Sequence, residues 1–161
     1  KNYFFLINNK SKPLIDTIKS RTLEMKIILN EKQRLEIIKK LVDFYKLDLF
    51  LDPKTSQLSP GNFLKFNYIC KEYDVLSTNN LVENFSILLN VFKKKKDILM
   101  INLLFYLTDE YLKKMKKKKL FKNDKIFEVK NFITDNLNNF ILYNINHNSL
   151  INAINEKVNR E

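Results

Sequence analysis

One glycine in 161 residues constrains this chain more than any other feature. Tight turns draw on glycine because it reaches backbone conformations that other residues avoid. A chain with a single glycine and three prolines has few chain breakers. It is therefore expected to form long helices and few tight turns, and an all-β architecture is excluded for want of turn residues. Apolar residues make up 45% of the chain, enough for a packed core rather than a disordered tail.

Helical periodicity dominates from residue 30 onward. Asn30 and Gln33 have the spacing of a capping box, and Leu35, Ile38, Val42 and Tyr45 then share one helical face. The segment 48–57, DLFLDPKTSQ, reads as a connector. Ser59 followed by Pro60 opens a second helix, with serine as cap and proline in the first turn. These helices form an expected small lobe over 29–76, ending at the break VLSTNN (75–80). Beyond it Leu81, Phe85, Leu88 and Phe92 recur at helical spacing. The run 98–115 is apolar on nearly every side in its first half and predicts a central, buried helix. Ile126, Val129, Ile133, Leu137 and Phe140 mark another long helix, and Ile151, Ile154 and Val158 the last. Residues 77–161 therefore read as a bundle of four or five helices.

The opening differs. YFFLIN (3–8) is a continuous apolar run ending at Asn8 and Asn9, the pattern of a buried strand with a polar tip. Pro13 suits the first position of a short helix. In TLEMKII (22–28) Leu23, Met25 and Ile27 alternate with Glu24 and Lys26, the period of a strand with one buried face. Strand, short helix, strand is the expectation for 1–28, as the last piece of an α/β domain. Nothing precedes the first strand to pair with it, so the chain is expected to start inside a domain. The expected fold is mainly α with this short β/α remnant.

Several chemistries are absent from the sequence. One histidine and one cysteine cannot build a zinc site alone. There is no phosphate-cradling GxxxxGK[ST] loop and no GxSxG nucleophile elbow. Asp109 and Glu110 are adjacent on a helix, so they face different directions and read as a solvated face. His147 reads as a surface turn residue, and Cys70 as a small buried apolar residue. A single cysteine excludes an internal disulfide and fits a reducing cytosol. The longest apolar run, 98–107, is too short to cross a bilayer. The net charge of +11 fits a nucleic-acid partner. It fits equally the Lys-, Asn- and Ile-rich composition that an AT-rich genome writes. Two lysine runs, Lys93, Lys94, Lys95, Lys96 and Lys116, Lys117, Lys118, Lys119, are either phosphate contacts or solvated helix ends.

The remaining feature is the corner Ser20-Arg21, between the short helix and the second expected strand. A guanidinium is permanently charged and its planar fork suits phosphate. Arg21 is either a cap for helix carbonyls, a solvated side chain, or a group held at an edge to reach a phosphate on another subunit. The sequence YFFLINNKSKPLIDTIKSRT resembles the end of the nucleotide-binding domain in bacterial clamp-loader subunits of the AAA+ class. In that family a strand ends in a polar "sensor 1" residue, and a T-[IL]-x-S-R-C motif follows about a dozen residues later. Here the motif reads Thr17-Ile18-Lys19-Ser20-Arg21-Thr22, with threonine in place of the cysteine. Asn8 and Asn9 fall at the sensor 1 position. The family's second motif, G-S-x-x-R or S-P-G-R, is matched by Ser59-Pro60-Gly61-Asn62. The S-P-G form resembles the delta-prime subunits rather than the tau/gamma ATPase subunits. Asn62 stands where the "sensor 2" arginine is expected and offers no charge to a γ-phosphate.

The resemblance implies a helical lid at 29–76 and a helical collar at 77–161. It implies a DNA polymerase III clamp-loader subunit with no catalysis of its own, working in DNA replication in the cytoplasm. Arg21, oriented by Ser20, would act as an arginine finger on ATP held by a neighbouring subunit. No cofactor would be bound by this chain itself. The implied partners are tau/gamma and delta subunits in a hetero-pentamer, the sliding clamp and primer-template DNA, with no membrane. Two alternatives stand beside it: an ATP-hydrolysing tau/gamma-type subunit, and a basic helical module that binds nucleic acid without ATP.

Overall fold

The computed structural model describes residues 4–7, 13–75 and 80–159. Among them are seven helices and no strand: α1 (Asp16–Lys19), α2 (Glu31–Tyr45), α3 (Pro60–Glu72), α4 (Leu81–Lys95), α5 (Ile98–Lys117), α6 (Asn123–Tyr143) and α7 (His147–Asn159). The chain is mainly α.

Local sequence sets the helix starts. The Asn30 side chain accepts from the Gln33 amide at 2.9 Å, and the Gln33 side chain accepts from the Asn30 amide at 3.1 Å, closing the capping box. Ser59 caps α3, whose first residue is Pro60. Asn80 and Asp97 accept from the second residue of α4 and α5, respectively.

The helix ends are more unusual. Among the described residues five have positive φ, Lys46, Asp74, Lys96, Lys119 and Asn144, and all lie at helix C-termini. None is glycine. Behind α5 the Lys119 amide donates to the Met115 turn's neighbour, the Lys116 carbonyl, and the Leu120 amide donates to the Met115 carbonyl, both at 3.0 Å. That is the paired closure of a Schellman end. Leu47 to Val42 and Val75 to Cys70 repeat the longer bond behind α2 and α3. Gly61, the one glycine, lies in the first turn of α3, where a Cβ would meet nothing within 4 Å.

Helices α4 to α7 form a four-helix bundle, with α4 against α5, α5 against α6, α6 against α7 and α7 back against α4. Phe92 and Phe140 meet across the diagonal at 5.9 Å. Most of the periodic residues are buried as their spacing requires: Leu81, Phe85, Leu88 and Phe92 on α4, and Val129, Ile133, Leu137 and Phe140 on α6, with Ile126 half-buried; on α7 Ile154 and Val158 are buried together with Leu150, and the expected Ile151 is half-buried. The central helix α5 buries Met100, Ile101, Leu103, Leu104, Leu107, Thr108 and Leu112, and leaves Asn102 exposed.

Helices α2 and α3 pair and reach the bundle where α3 meets α5, with Phe66 and Tyr106 at 5.8 Å. The buried apolar side chains of lobe and bundle form one continuous cluster. The connector between α2 and α3 is fixed by two side chains. The Arg34 guanidinium donates to the Pro53, Ser56 and Leu58 carbonyls at 3.0, 3.0 and 3.3 Å. Buried Asn67 accepts from the Phe50 and Leu51 amides at 2.8 and 3.2 Å and donates to the Asp48 carbonyl at 2.6 Å.

The opening departs from expectation. Residues 4–7 and 23–30 have no regular secondary structure, and Phe4, Phe5, Ile7, Leu23, Met25 and Ile27 are all at least 80% exposed. A strand exists only against a second strand that takes its hydrogen bonds, and the described residues offer none. The alternating pattern at 22–28 is present without a sheet to read it. The short helix also starts later than proline placement suggests. Pro13 lies outside it, and Ile15 is its N-cap.

Candidate functional site

Helix α1 is a single turn that packs on no other helix among the described residues. Its end is closed by its own hydroxyls. Ser20 Oγ donates to the Thr17 carbonyl at 3.2 Å, and Thr22 Oγ1 donates to the Ile18 carbonyl at 2.9 Å. The Ser20 amide reaches the Asp16 carbonyl at 2.9 Å and the Arg21 amide the Ile18 carbonyl at 3.1 Å. The Asp16, Thr17 and Ile18 carbonyls are thus already engaged by donors of the chain itself. Arg21 is exposed, and its side chain has no hydrogen bond or ion pair with any described residue. Asn8 and Asn9 lie outside the described residues. Gly61 and Asn62 are exposed in the first turn of α3, where the Asn62 amide donates to Ser59 Oγ at 3.4 Å.

The two lysine runs, alike in sequence, differ in structure. The first is largely engaged within the chain. Lys95 donates to Glu72 at 3.2 Å and to the Tyr73 hydroxyl, and lies 5.1 Å from the Tyr73 ring centre. Tyr73 in turn donates to Glu72 at 2.7 Å. The hydrogen bonds to Tyr73 and Glu72 push the Lys95 ammonium above its usual range. Those from Tyr73 and Lys95 hold the Glu72 carboxyl below its own. Lys93 lies 3.2 Å from His147 Nδ1, and Lys96 sits 5.6 Å from the Phe92 ring centre. Three of these four lysines therefore tie the end of α4 to α3, to α7 and to its own last turn. His147, expected in a surface turn, is the first residue of α7.

Lys116, Lys117, Lys118 and Lys119 are exposed, and none has a side-chain partner among the described residues. They occupy the end of α5 and the Schellman turn behind it. Asp109 and Glu110, earlier on the same helix, are both ion-paired, to Lys130 at 2.7 Å and Lys113 at 2.8 Å.

The buried groups are structural. Burial pushes the Cys70 thiol up to about 12, which keeps it from acting as a thiolate nucleophile. Burial, reinforced by the Glu110 carboxylate, also raises the Tyr106 phenol. Among the described residues no three His, Cys, Asp or Glu side chains lie where they could hold a metal ion. No helix among them is long and apolar enough to cross a membrane.

Residue patterns missed Arg34 and Asn67, which organise the lobe. Their partners are 16 to 24 positions away, so no local spacing announces them. No family model, no curated protein and no solved structure matches the chain.

Proposed function

We propose that the chain is a clamp-loader subunit of the delta-prime kind, working in DNA replication, and that Arg21 acts in trans on ATP bound to a neighbouring subunit. One observation carries this reading. Ser20 and Thr22 close the corner with their own hydroxyls, and Arg21 is left exposed with no partner among the described residues. A guanidinium so presented can stabilise the charge that develops as the γ-phosphoryl leaves. The motif Thr17 to Thr22, the S-P-G start of α3 and the order of lobe then bundle support the same reading. So does the apolar surface at 4–7 and 23–28, which suits coverage by another part of the assembly. In this reading 1–28 is the end of an AAA+ domain, 29–76 the lid and 77–161 the collar. Asn62 leaves the subunit without a sensor 2 charge, so it serves its neighbour's ATP rather than its own. The mechanism is mechanical: ATP-driven assembly with tau/gamma and delta subunits holds the sliding clamp open and places it on primed DNA.

The test compares full-length wild type with Arg21→Ala in a reconstituted loader with clamp and primed DNA. Arg21→Ala is expected to assemble normally and to lower hydrolysis at the adjacent site by about 10³-fold. Unchanged ATP turnover and clamp loading would reduce Arg21 to a solvated side chain.

A further inference from the structure

The corner between α5 and α6 is the most concentrated charge on the molecule. Residues 113–125 carry eight lysines against one aspartate. Lys113 is paired with Glu110, and Lys125 lies 4.6 Å from the Phe121 ring centre. Lys116 to Lys119 and Lys122 have no side-chain partner among the described residues. The Schellman closure fixes the backbone that carries four of these five, so the charges are displayed from a defined turn rather than a loose tail. Like charges so close repel one another and favour any anion that enters among them.

The same corner exposes two apolar side chains. Leu120, in the middle of the lysines, is 63% exposed, and Phe127, one turn into α6, is 66% exposed. A duplex backbone draws its affinity from the charges alone and would leave Leu120 and Phe127 unused. Single strands stack successive bases on several rings, and here Phe127 is the one exposed ring among the described residues of the corner, Phe121 lying against Tyr111 at 6.4 Å and under Lys125. A membrane surface takes up a helix by its apolar face, and α5 and α6 both bury theirs in the bundle. An acidic polypeptide that carries apolar residues uses both parts of the patch. Its carboxylates meet the lysines and its apolar side chains cover Leu120 and Phe127.

We infer that the α5–α6 corner, centred on Lys116 to Lys119 and Leu120, is a docking surface for an acidic, apolar-bearing segment of a partner protein. The surface is separate from Arg21 and does not depend on what Arg21 does.

The test uses the full chain and a fluorescein-labelled synthetic peptide of aspartate pairs separated by single leucine or phenylalanine residues. Anisotropy is read at physiological salt. Replacing all four of Lys116 to Lys119 by Gln should weaken binding by about tenfold or more, because rim charges govern such association. Leu120→Ser should weaken it roughly fivefold through lost apolar burial. Lys94→Gln, in the other lysine run, should change nothing, and wild-type melting temperatures for the variants exclude misfolding. A peptide with serine in place of the apolar residues should bind more weakly. The inference falls if that serine peptide binds as tightly, or if Leu120→Ser has no effect. It also falls if a DNA duplex or phosphatidylserine vesicles bind better than the peptide, or if nothing binds.

Discussion

Asn67 offers a sharp test of what holds the lobe to the bundle. It is 1% exposed and satisfies three backbone groups of the connector at once: the Phe50 and Leu51 amides and the Asp48 carbonyl. In Asn67→Ala the Leu51 amide loses its acceptor inside the core. An unsatisfied buried donor costs about 1–3 kcal/mol. The Phe50 amide and the Asp48 carbonyl lie nearer the surface and can turn to water, at about 0.5–1.5 kcal/mol each. The sum is about 2–6 kcal/mol, a large share of a stability of roughly 5–15 kcal/mol. For a chain of this length that lowers the melting temperature by about 4–24 °C. Urea and thermal denaturation followed by circular dichroism measure the loss. Amide exchange at Phe50 and Leu51 reports its origin, since both amides should lose protection before the bundle opens. Asn102→Ala is the control, because Asn102 is exposed on α5 and should stay within about 0.5 kcal/mol of wild type. A loss under about 1 kcal/mol for Asn67→Ala, with exchange at 50 and 51 unchanged, would show that the connector does not depend on this amide.

Two further expectations follow from single sites. The folded Cys70 thiol is raised by burial from 9.0 to about 12, so folding favours its protonated form. That contribution is complete below pH 9 and fades as pH climbs toward 12, so stability should fall on the alkaline side. Cys70→Ala should flatten this fall in urea titrations run across that range, and in the wild type thiol reagents should label Cys70 only on unfolding. Gly61→Ala should stabilise the chain by about 0.4–1 kcal/mol, read as a higher urea midpoint, because its helical site has open space and no positive φ.

The helices were legible because their signals are local. Asn30 with Gln33 and Ser59 with Pro60 mark starts that need only neighbours in sequence. The stripes on α4, α6 and α7 and the nearly all-apolar first half of α5 follow from burial at period 3.6. The strands did not follow, because alternation at Leu23, Met25 and Ile27 describes what a sheet would bury and not whether an edge is there to receive it. The two lysine runs read identically until Glu72, Tyr73 and His147 come into range of the first and nothing described comes into range of the second. Ser20-Arg21 could be placed at a corner from sequence. That the corner closes without the guanidinium depends on hydroxyl geometry at Ser20 and Thr22.

The helix ends carry one more consequence. Three lysines, an aspartate and an asparagine hold left-handed positions that glycine would occupy without steric penalty. Each of the three lysines gives up about 1 kcal/mol to do so, Asp74 and Asn144 less. The molecule therefore keeps an untapped margin of heat tolerance at its corners, outside the core. A lineage moving to a warmer habitat could draw on it one codon at a time, beginning at Lys46, and leave the buried core as it is.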